Sequence, residues 1–300
     1  MKYNQYNFTP QQQAKMVSET ERVIRYQSEI RSFLFWFLES TQHKEIPAHH
    51  EAFVHLLMKI YFNLDAILVL LPGLKKDARQ KISVNLLYRS ISDDVINLYY
   101  LLGTVTKGSP EQSSLKNELD ILHKEFLMSV EEIIPAEAEI QNYPYLFQKE
   151  QNPYPKRIEQ ELSLMREQNP QVYDGATQKY KKNGLIRESS HADLKPLLQT
   201  TDSAPFLSER QKVKFIKARG FSRTEMFTFL FKYFSQYQHY SPKTHELTVS
   251  DAILDLKCYR WCIMEVLNAI GEANWRFGME NLDEVDRKLK ELLAAVLKWG

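Results

Sequence analysis

The sequence predicts an all-α fold, a multi-helix bundle with a loop-rich insert of short helices, from three observations. Glycine is scarce, at 9 of 300 residues. Apolar residues recur at three- and four-residue spacing, whereas the strict alternation of a half-buried strand is almost absent. Breaker clusters such as Pro72-Gly73 and Gly108-Ser109-Pro110 close the periodic stretches.

Read in order, helices are expected at about 11–43, 48–71, 76–103 and 111–134. Pro135, Pro144, Pro153, Pro155, Pro170, Gly175, Gly184, Pro196 and Pro205 then leave room only for short helices, which defines an irregular insert at about 135–207. Long helices resume at about 208–219, 222–240, 248–276 and 281–298. The expectation is one helical domain over 1–300 whose two halves are joined by the insert.

Composition narrows the function classes. With 39 Lys+Arg against 38 Asp+Glu, a net charge of +1 and 43% hydrophobic residues, the chain is neither a disordered tail nor a surface built throughout for nucleic acid. Two cysteines, Cys258 and Cys262, exclude a disulfide scaffold. The N-terminus lacks the charged, apolar and small-residue pattern of a secretory signal, so a cytoplasmic location is expected. The apolar windows 32–38 and 60–71 fall short of the roughly 20 residues that span a bilayer, so no membrane association is expected.

Charge is unevenly distributed. Residues 111–139 carry eight acids against Lys116 and Lys124, a net of −6. Residues 175–223 carry eleven bases against four acids, a net of +7, interleaved with Tyr180, Phe215 and Phe221. Such a stripe suits a phosphate backbone, so RNA or a nucleotide is one expected partner. The alternative is that it complements the acidic segment of the same molecule.

The stretch 81–102, KISVNLLYRSISDDVINLYYLL, is apolar nearly all round, as a buried helix is. Arg89 lies among Ile82, Leu86, Ile96 and Tyr100, and Asn85, Arg89, Asp93 and Asn97 follow one another at four-residue intervals. A buried guanidinium needs a carboxylate, and Asp93 one turn on is the nearest. Asp65, flanked on its helix by Met58, Tyr61, Phe62, Leu68 and Val69, looks buried too. The expectation is an Arg89–Asp65–Asp93 network between neighbouring helices, either fixing their register or lining a ligand pocket.

The stretch 221–242, FSRTEMFTFLFKYFSQYQHYSP, places Phe227, Leu230, Phe231, Phe234 and Tyr237 on one face. Opposite lie Glu225, Thr228, Lys232, Ser235, Gln236 and His239. Seven residues apart, Lys232 and His239 would project from one side, about 20° out of line.

Tyr-Arg-Ser-Ile-x-Asp at 88–93 together with Lys-Tyr-Phe-Ser-Gln-Tyr-Gln-His at 232–239 resembles bacterial helical families of the HEPN type. Those families carry an Arg-x-x-x-Glu-type helix and, much later, a Tyr-x-x-Ser-x-x-x-His-type helix, and the superfamily's signature is Arg-x(4–6)-His. The resemblance covers about 50–103 and 208–275. It implies a metal-independent ribonuclease of a defence or toxin system, with paired basic and histidine residues meeting across a homodimer groove. On that reading His239 is the general acid/base and Lys232 stabilises the phosphorane charge, with Arg89, Asp93, Asp65, Asn85, Asn97 and Ser235 as the polar surroundings. Lys stands where the motif has Arg, and Tyr233 stands where the motif has Asn or Asp. The competing reading is a non-enzymatic helical scaffold or interaction module, in which the polar network is structural and the stripe at 225–239 simply faces solvent.

His49, His50, Glu51 and His55 form the one cluster with metal-ligand residue types, but Lys59 follows and no HExxH pattern is present, so no metal is expected. Cys258 and Cys262, one turn apart, read as small core residues. Glycine-rich phosphate loops and nucleophile elbows are absent, and no cofactor is expected.

Overall fold

The structure is a computed structural model of the 300-residue chain. It describes residues 8–42, 48–105, 207–239, 246–248, 250–277 and 282–298, with scattered positions between 115 and 170. Among these the fold is all-α. The helices are α1 (Pro10–Gln42), α2 (Ala48–Leu70), α3 (Lys81–Thr104), α4 (Glu209–Ala218), α5 (Thr224–Ser235), α6 (Ile253–Phe277) and α7 (Leu282–Leu297).

The chain divides into two compact units, one formed by 1–108 with 208–300 and the other by 109–207. The stretch 111–134, expected to belong to the bundle, falls in the second unit; its described positions, such as Leu115 and Leu119, are helical. Most of the predicted insert, and the basic stripe from 175 to 206, lie outside the described residues.

Within the first unit α3 is central, packed against α2, α4, α5 and α6. Its burial on nearly every side follows from the all-round apolar pattern in its sequence. Tyr88 at its middle stacks on Tyr259 of α6 at 4.3 Å between centroids, and on Phe234 of α5 at 5.6 Å. The Tyr88 hydroxyl donates to Gln27 Oε1 at 2.6 Å, and Gln27 Nε2 donates to the Leu64 carbonyl at 3.0 Å. Tyr88 and Gln27 together thus join five helices, with the polar tip of the ring satisfied inside the core. Gly103 lets α4 come close, since a Cβ there would meet the Phe215 ring at 2.9 Å.

Helix boundaries depart from the expectation where caps intervene. Two 3₁₀ turns, Leu71–Lys75 and Ala78–Gln80, follow α2, so α3 starts at Lys81 rather than 76. Ser208 and Gln211 form a reciprocal capping box at the start of α4. Over Glu51–Lys75 the chain is long and apolar enough to cross a membrane, although the window 60–71 alone is too short. In the fold the Phe53, Leu57, Ile60, Leu64 and Ile67 row of α2 is buried, while Phe62 and Val69 are exposed.

Candidate functional site

Arg89 is buried and closes on three groups. Its guanidinium forms an ion pair with Asp93 one turn along α3. Its Nε donates to Ser235 Oγ of α5 at 2.6 Å. Its plane lies over the Phe231 ring, 3.5 Å from the centroid. Ser235 passes the interaction on by donating to the Phe231 carbonyl at 2.6 Å. Asp93 is partly open, and burial holds its carboxyl above the usual range against the opposing pull of Arg89. An incoming phosphate would have to displace Asp93 from a pair already made, so this guanidinium is a filled site rather than an empty anion seat.

The expected Arg89–Asp65–Asp93 network is half correct. Asp65 pairs instead with Arg31 of α1, Nε to Oδ1 at 2.9 Å, and its side chain is 51% exposed. Its apolar wheel neighbours mislead because Phe62 and Val69 on the same face are themselves exposed. The buried acid between α2 and α3 is Asp94, which accepts from Lys59 Nζ at 2.7 Å. Burial pushes its carboxyl up to about 6 despite that lysine.

Asn85 and Asn97 belong to separate contacts. Asn97 accepts from Lys212 Nζ of α4 at 2.9 Å. Asn85 donates to Asp255 Oδ1 of α6 at 2.8 Å, in a cluster that sequence reasoning missed. The Tyr233 and Tyr237 hydroxyls donate to the same oxygen at 2.9 and 2.7 Å. Lys81 Nζ lies 3.3 Å from the other oxygen and donates to Ser250 Oγ and to the Ser250 and Asp251 carbonyls at 2.8 to 3.2 Å. Lys81 is 0% and Asp255 1% exposed. Here a buried ion pair has nearly every lone pair and proton matched, the condition under which such a pair is tolerated.

Lys232 is exposed on α5, and His239 is exposed beyond its end. The expected helix over 222–240 begins at Thr224 and stops at Ser235. The chain continues in i→i+3 hydrogen bonds, Tyr237 N to Phe234 O and Gln238 N to Ser235 O. That tighter winding adds about 20° per residue. The offset between Lys232 and His239 therefore widens to about 60°, with both side chains still exposed, while Tyr237 is turned inward to Asp255.

The described part of the basic stripe is divided between contacts with α3, a surface ion pair and exposed side chains such as Arg210 and Lys214. Lys212 serves Asn97, Lys217 pairs with Glu225 at 2.7 Å, and Arg219 Nε donates to the Gly103 carbonyl at 2.6 Å. Cys258 and Cys262 are free and buried, as expected of core residues. Burial holds both thiols above the usual range, Cys262 at about 12. Glu51 and His55 are exposed and 4.0 Å apart, and no group of three potential metal ligands occurs among the described residues.

Comparison with protein-family models, with curated proteins and with solved structures gives no match for this chain.

Proposed function

We propose that the chain is a non-enzymatic helical binding module, in which the Arg89 network sets how α3 packs on α5. The observation that carries this reading is the closure of Arg89 on Asp93, Ser235 and Phe231, which occupies the cation that a phosphate would need. The engagement of Lys212 and Arg219 with groups of α3 supports it.

A second reading, a HEPN-type nucleotide- or RNA-directed enzyme in a cytoplasmic defence or toxin system, is favoured by one observation. Arg89 Nε meets Ser235 Oγ at 2.6 Å, so the two halves of the motif come together across 146 residues of sequence. That reading needs His239 and Lys232 to work on RNA, with two copies forming the groove. Incubation of the wild type and His239→Ala with single-stranded RNA, with denaturing electrophoresis as readout, separates the two. The binding-module reading expects no cleavage by either protein. Cleavage by the wild type that disappears in His239→Ala would overturn it.

A further inference from the structure

A cleft of about 570 Å³ opens where the turn before α5 meets α6 and α7, a volume usual for small-molecule sites. Neither reading above uses it. Its walls carry Tyr99, Arg223, Glu265, Asn268 and Trp275.

Glu265 is 3% exposed, and the Tyr99 hydroxyl and the Asn268 amide hydrogen-bond to it. Its cationic neighbour Arg223 lies at 3.9 Å, beyond hydrogen-bond reach, with most of its side chain in solvent. A nearly buried carboxylate thus faces the cleft with a loosely held partner. The backbone of Arg223 adds an independent sign. It has φ 63°, the only left-handed non-glycine among the described residues, three positions after Gly220 at φ 85°. An L side chain is strained in that conformation, and such strain gathers at ligand clamps.

The charges on the walls define the ligand. Arg223, Arg276 and Lys290 are balanced by Glu265, Glu272 and Asp286. Arg276 is already committed, its Nη1 donating to the Leu102 and Val105 carbonyls and its guanidinium lying 4.6 Å from the Phe221 centroid. A polyphosphate would face three carboxylates, and a simple cation would face three bases. A molecule carrying both signs on neighbouring carbons avoids both penalties. Trp275, half exposed on the rim, offers an indole face to an apolar group.

We propose that this cleft binds a small zwitterion of the free α-amino acid class, with its ammonium on Glu265, its carboxylate on the Arg223 guanidinium and its side chain against Trp275. Opening the Arg223–Glu265 pair costs little because at 3.9 Å the mostly solvated guanidinium makes no hydrogen bond to Glu265, and the incoming ammonium takes its place beside the buried carboxylate. A guanidinium can then take a carboxylate with two parallel hydrogen bonds. The proposal stands whatever the protein does to RNA.

The test is a melting-temperature screen of the full-length protein with each common L-amino acid at millimolar concentration. Titration calorimetry then compares the strongest binder with its decarboxylated amine and its deaminated acid. The expected result is saturable binding of an apolar or aromatic amino acid, with both analogues weaker by about tenfold or more. Arg223→Asn, which tolerates the left-handed backbone but lacks the guanidinium, should lose a similar factor while keeping the wild-type circular dichroism spectrum. Glu265→Gln should lose binding as well. No binding by any amino acid, equal binding of zwitterion and amine, or full affinity in Arg223→Asn would overturn the proposal.

Discussion

Asp255 and Glu265 sit ten residues apart on α6, about 15 Å along its axis, and both are buried, yet their surroundings are opposite. Asp255 is enclosed by Lys81, Asn85, Tyr233 and Tyr237, drawn from α3, from α5 and from the turn that follows it. Glu265 has two neutral donors, one distant guanidinium and an open cleft. The first acid is a fastening, because any ligand would have to break four contacts to reach it. The second is a receptor, because its strongest partner is the one most easily moved. Burial alone therefore says little about role; the completeness of the partner set separates structure from binding.

Removing the fastening should have the largest effect. Asp255→Ala leaves the Lys81 ammonium enclosed and two tyrosine hydroxyls without their acceptor, a change expected to cost about 3 to 5 kcal/mol in urea unfolding. The double variant Lys81→Met with Asp255→Leu should recover part of that loss, since paired removal leaves no stranded charge while the Tyr233, Tyr237 and Asn85 donors still lack their acceptor. A loss below about 1 kcal/mol in the single variant would put Asp255 in the same class as surface acids.

Asp94 lies between the two extremes, with one lysine and its carboxyl raised to about 6 from 3.8. Because the folded-state value lies above the unfolded one, the folded protein binds more protons between them, and stability falls as pH rises through that window. Relative to Asp94→Asn, the wild type should lose on the order of 2 kcal/mol between pH 4 and pH 6. Unfolding curves that run parallel for the two proteins across this range would show that Lys59 compensates fully for burial.

The smallest effect is expected at Asp65. Its pair with Arg31 is solvent-exposed, so Asp65→Ala should change stability by no more than about 0.5 kcal/mol in the same unfolding experiment. A larger loss would restore Asp65 to the interior network that its sequence neighbours suggest.

The helices were legible because their signal is local. The periodicity of α3 and the four-residue step from Arg89 to Asp93 both lie within one element and carry directly into space. The Asp255 cluster was not legible, because its partners lie 18 to 174 positions away and no spacing rule connects them. Asn85 was noticed for its buried position, but its partner was hidden. Asp65 and Asp94 show the converse failure. A wheel of apolar neighbours marks a core face only when another helix covers it, and α2 leaves that face partly bare. The break after Ser235 was invisible because Gln236 and Gln238 are compatible with continued helix; the inward demand of Tyr237 for Asp255 accompanies the tighter turn.

Cys258 and Cys262, buried one turn apart on α6, give the bundle an internal clock. With both thiols held protonated and out of water, an alkylating reagent reaches them only when the helices packed on α6 move apart. The rate of modification then measures how often the centre of the molecule breathes open, independently of any ligand.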